Sequence, residues 1–77
     1  MPTYEQEKAE NFAAYDRLKA TIRTEYRGRY VAIAAGRIVT VADTIEEARA
    51  AVAGFQHRLV FDAEADVDAQ REPVWIR

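Results

Sequence analysis

No cysteine occurs in the 77 residues, which excludes disulfide staples and thiolate chemistry of any kind. No apolar run approaches the ~20 residues of a membrane-spanning helix. The opening MPTYEQEKAENF has acids where a secretory leader needs a basic start and an apolar core. We therefore expect a cytoplasmic protein with no membrane attachment. Histidine occurs once, at position 57; a general base needs an orienting partner and a nucleophile or substrate within reach, which one residue does not display, and a lone histidine just after a helix reads as a C-terminal cap or a surface residue. Glycine is sparse as well. Gly28 follows a helical stretch and Gly36 interrupts a strand pair, whereas a phosphate-binding loop needs a strand before it and a helix directly after.

What remains is one small domain, residues 1–77, near the lower size limit for a core without staples. Its net charge of −2 conceals an uneven distribution. Four acids and one lysine fall in 1–16, six bases and one acid in 17–37, and eight acids with four bases in 38–77. A basic middle lies between acidic ends.

Residues 3–27 read as a helix, with Tyr4, Phe12, Tyr15, Leu18, Ile22 and Tyr26 along one face. Thr3 and Gln6 suit a capping box, the early acids suit the positive end of the helix dipole, and Gly28 suits the left-handed stop. Residues 29–42 read as a hairpin around Ala34-Ala35-Gly36-Arg37. A two-residue loop would put Ile33 opposite Ile38 and Val31 opposite Thr40, with Tyr30, Ala32, Val39 and Val41 on the other face. Alanine is a poor choice for the positive φ of a type I′ turn, so a longer loop or a type II turn fits equally well. Thr44-Ile45-Glu46-Glu47 opens a second helix over 44–53 that stops at Gly54, with Phe55 packing back on it. Terminal strands are expected within 58–77, one at Arg58 to Phe61 and one over 72–77, where Pro73 requires an edge position or a strand that begins beyond it. Between them the acids Asp62, Glu64, Asp66 and Asp68 alternate with small apolar residues, as a strand or a solvated loop. The fold class is α+β, with the helices packed on a single small antiparallel sheet.

Candidate chemistry is thin. Read as a calcium loop from Asp62, the acidic run puts Val67 where glycine is needed and Pro73 where glutamate is needed. No catalytic residue, metal site or cofactor is assigned, and we expect no enzymatic activity. Lys19, Arg23 and Arg27 recur every fourth residue, and Arg29 and Arg37 flank the hairpin. Interleaved with Tyr26 and Tyr30, they are the candidate contacts for a protein partner or for nucleic acid. The acidic pI of 5.3 favours a protein partner. Phe61 and Trp75 read as core aromatics. The hairpin is apolar on both faces, so Tyr30, Ala32, Val39 and Val41 are the candidate self-association surface, most simply of a two-fold dimer.

The run from Asn11 to Ala53 resembles a small prokaryotic family of unknown function. It has a leading helix with a buried aromatic (here Phe12), then Tyr26-Arg27-Gly28-Arg29-Tyr30-Val31-Ala32-Ile33. A glycine turn into Gly36-Arg37-Ile38-Val39 and the capped helix from Thr44 to Ala48 follow. Members of that family are often encoded beside retropepsin-like proteins, so the resemblance implies an accessory role beside an unidentified partner and supplies no catalytic residue. The stretch VADTIEEARAAV is also similar to the hairpin-to-helix step of HicB-type antitoxins, which implies an antitoxin-like regulator as the alternative.

Overall fold

The computed structural model describes residues 3–65 and 67. Among these, helix α1 (Tyr4–Glu25) leads into strands β1 (Tyr30–Ala34) and β2 (Arg37–Ala42), helix α2 (Ile45–Ala51) and strand β3 (Leu59–Asp62). The strands form one antiparallel sheet in the order β2-β1-β3. This is the α+β arrangement expected, with the expected fourth strand, Pro73 and Trp75 lying outside the described residues.

Each element begins where its local chemistry dictates. Thr3 caps α1 through a reciprocal box: its hydroxyl accepts from the Gln6 amide at 3.2 Å, and its own amide donates to Gln6 Oε1 at 2.9 Å. The helix ends at Glu25, earlier than expected, and Gly28 takes its left-handed conformation in the turn that follows, with φ +79°. Thr44 caps α2 by accepting from the Glu47 amide at 3.2 Å. Glu47 Oε1 in turn accepts from the Thr44 hydroxyl, not from its amide. α2 stops at Ala51, with Val52 as its C-cap. Gly54 is not left-handed, and the closure comes from Phe55 N–H donating to the Val52 carbonyl at 3.1 Å.

The two helices cover opposite faces of the sheet. Central strand β1 is the divider, since Val31, Ala32, Ile33 and Ala34 are all fully buried and alternate between the two sides. Val31 and Ile33 join Ala14, Tyr15, Ile22 and Phe61 under α1, where Tyr15 and Phe61 meet edge to face at 5.4 Å. Ala32 and Ala34 join Ala42, Ala48 and Val52 under α2. Small side chains on the α2 face let that short helix approach the strands closely. Burying each large aliphatic side chain on the α1 face stabilises the fold by about 1.5–3 kcal/mol relative to leaving it exposed. The two-sided apolarity of the hairpin thus has its cause inside the chain.

The register differs from a simple hairpin. Ile33 faces Ile38 as expected, but Val31 faces Val41 and Ala32 faces Thr40, because a β-bulge inserts Val39 as an extra residue. Val41 therefore packs on the α1 face with Val31, whereas Val39 packs on the α2 face. The turn itself has two residues, with Ala35 at φ +55° and Gly36 at φ +73°. Both are left-handed, as a type I′ hairpin requires.

The acidic segment leaves the sheet at Asp62. Its carboxylate accepts from the Glu64 amide at 2.8 Å and its carbonyl from the Ala65 amide at 2.8 Å, which turns the chain. Ala63 and Val67 are buried against the α1 face, so the described part of this segment is a folded-back loop, with Asp66 and Asp68 outside the described residues.

Candidate functional site

The most constrained polar group is Asn11, which lies on the inner face of α1 with no exposure. Its Oδ1 accepts from the Gly36 amide in the hairpin turn at 2.9 Å. Its Nδ2 reaches the His57 carbonyl at 3.3 Å and His57 Nδ1 at 2.8 Å. The Gly36 amide can only donate and the His57 carbonyl can only accept, so the orientation of the carboxamide is fixed. His57 Nδ1 must then be an acceptor, and the ring carries its proton on Nε2.

His57 is 7% exposed, neither a helix cap nor a surface residue, and it sits against the edge of Tyr4 and beside Phe12. Burial, then the positive Lys8, with Arg58 adding to both and Glu7 and Glu5 opposing, holds its pKa below the ordinary 6.5. The ring is spent on joining α1 to the α2–β3 connection. Tyr4, expected in the core, is 48% exposed and covers this ring from outside.

The five basic side chains do not form one surface. Arg23 and Arg27 line a notch of about 440 Å³ with Glu64 opposite, while Lys19, one turn earlier on α1, is half-buried. Arg29 turns to Asp43 at 3.6 Å, an exposed pair of little energetic weight. Arg37 lies at the other end of the hairpin, about 17 Å from Arg29 along β1. The candidate self-association residues are divided as well: Ala32 is fully buried beneath α2, Tyr30 and Val39 are half-buried on that face, and Val41 is on the opposite one.

Sequence reasoning missed a groove between α2 and β3. Glu46, Arg49, Ala50 and Ala53 form one side, Arg58 and Val60 the other, of an open depression of about 560 Å³. The floor is methyl groups and one valine, and both arginines are exposed at the rim. Arg58 Nη1 donates to the Phe55 carbonyl at 2.8 Å, which holds that guanidinium in place. Its only sequence signal is the row of small residues beside Arg49. Among the described residues no three histidine or acidic side chains gather as a metal site would need, and no helix is long and apolar enough to cross a membrane.

Hairpin, Gly turn and capped helix all fall within one segment that a family model matches. Residues 21–52 match the model of a family of unknown function, DUF5678. The DUF5678 segment runs from the last turn of α1 through β1 and β2 to the end of α2. It includes Gly36, Arg49 and Ala50, and leaves Asn11, His57 and Arg58 outside. No curated protein and no solved structure matches the chain.

Proposed function

We propose that this protein is a non-enzymatic protein-interaction module, an accessory that acts in the cytoplasm by docking an unidentified protein partner. The observation that carries this reading is the α2–β3 groove, a small-residue floor bordered by two accessible arginines. Arginine beside apolar surface is the composition of interface centres, because the guanidinium is weakly hydrated and offers several fixed donors. The one histidine supports the same reading, since its Nδ1 is engaged with Asn11 and its ring is buried. Photo-crosslinking in the native host tests it. A crosslinker at Ala53 should capture a discrete protein, and the same group at exposed Thr21 should not. Equal capture from both positions counts against the groove.

A second reading, an antitoxin-like regulator that binds nucleic acid, draws on Arg23 and Arg27 facing one notch. Glu64 lines that notch and opposes a phosphate chain, so we rank it second. A mobility shift at low salt that is lost in Arg23→Glu with Arg27→Glu would reverse the order. We also retain two-fold self-association, and place it at the outer edge of β2, where Ile38, Val39, Thr40 and Val41 are each half-exposed.

A further inference from the structure

The groove between α2 and β3 has a definite polarity. Arg49 stands in the last turn of α2 and Arg58 just ahead of β3, so the two guanidinium groups enter the same space from different elements. Among the described residues no carboxylate lies within ion-pair distance of either, although Glu46 stands one turn before Arg49 on the same helix. Arg58 is partly preorganised by its bond to the Phe55 carbonyl, so fixing it on a ligand loses less side-chain freedom. Between the arginines, Ala50, Ala53 and Val60 are the apolar lining, with no large side chain among the described residues, which lets a backbone approach closely.

We propose that this groove docks an acidic peptide segment of the protein partner. Arg49 and Arg58 take carboxylates at the rim, and the floor takes small side chains between them. The inference rests on the interaction-module reading and names the chemistry of its partner. A guanidinium offers paired donors that match the two oxygens of a carboxylate. Single-stranded nucleic acid is a poorer occupant, because among the described residues no aromatic side chain lines the groove for base stacking and Glu46 opposes a continuous line of phosphates.

The test is an amide-resolved NMR titration with a synthetic peptide of alternating aspartate and alanine, beside its asparagine counterpart. The acidic peptide should shift the amides of Arg49, Ala50, Ala53, Arg58 and Val60. The asparagine peptide should leave them in place. Binding should weaken about tenfold in Arg49→Gln with Arg58→Gln, whose folding is checked by thermal melting, and fall as salt rises. Arg23→Gln with Arg27→Gln should bind as the parent does. Equal shifts with the asparagine peptide, or with inorganic phosphate or oligothymidylate at matched charge, overturn the proposal. So does concentration-dependent broadening of these amides without peptide, which would identify a second copy as the occupant. Failure here beside successful crosslinking at Ala53 removes the acidic chemistry alone; failure of both removes the interaction reading as well.

Discussion

Asn11 occupies a position where the 3–4 spacing of Tyr4, Tyr15, Leu18 and Ile22 calls for an apolar side chain, and its burial is tolerable only because its partners are all present. Replacing it with alanine removes the partner of the buried His57 carbonyl and of the partly buried Gly36 amide. Each buried orphan costs roughly 1–3 kcal/mol, so we expect Asn11→Ala to lose about 2–4 kcal/mol in urea unfolding. A loss below half a kcal/mol, on the order of a surface change, would show that water replaces the carboxamide. The burial of the His57 ring, with Lys8 nearby, predicts a pH dependence. His57 has a folded-state pKa below its unfolded 6.5, so the unfolded chain binds more protons in that window. The neutral ring's contribution is complete above the unfolded value and is lost as pH falls from there towards the folded one. The melting temperature of the parent should drop on acidification through this window, and His57→Gln, which retains an acceptor for Asn11, should drop less. Parallel curves would assign the acid sensitivity to other groups. Ala35 gives the opposite kind of prediction. An alanine at φ +55° is strained, and asparagine tolerates that conformation, so Ala35→Asn should raise stability by about 0.5–1 kcal/mol by thermal or urea melting.

Helix α2 has seven residues, too few to stand alone, and is held by its cap and by Ala48 and Val52 against the sheet. Thr44→Ala should therefore cost about 1 kcal/mol, with faster amide exchange confined to α2 if the cap acts locally. Exchange that accelerates equally in α1 would instead make α2 part of the global unfolding unit. Both caps were readable in the sequence because they depend on residues three apart, and the stripe of α1 was readable for the same reason of period. What could not be read depends on longer range or on irregularity. The bulge at Val39 breaks a strand alternation that nothing nearby announces, and it moves Val41 across the sheet. Asn11 and His57 meet over a wide sequence separation, so neither revealed the other: Asn11 carries no local signal of its own, and His57 reads as a cap or a surface residue. Arg49 and Arg58 were passed over because α2 and β3 come together only in the folded chain.

Because α1 and α2 cover opposite faces of the sheet, the apolar hairpin that suggested self-association is satisfied mainly within one chain, and the sheet's outer edge at β2 is what remains. There, half-exposed aliphatic side chains lie on both faces of a strand that, among the described residues, is paired on one side only. Antiparallel pairing of two β2 strands about a two-fold axis would extend the sheet and cover those side chains together. The bulge opposes it, since a twisted, irregular edge is a common protection against such pairing. With only Thr40, Val41 and Ala42 regular beyond the bulge, the association should be weak and dependent on concentration. Sedimentation at tens of micromolar should show a species heavier than 8.8 kDa that declines on dilution. Thr40→Lys places a charge on the edge and should leave a folded monomer. A single 8.8 kDa species at every concentration would remove the dimer and leave the groove as the first-ranked contact surface, ahead of the Arg23–Arg27 notch.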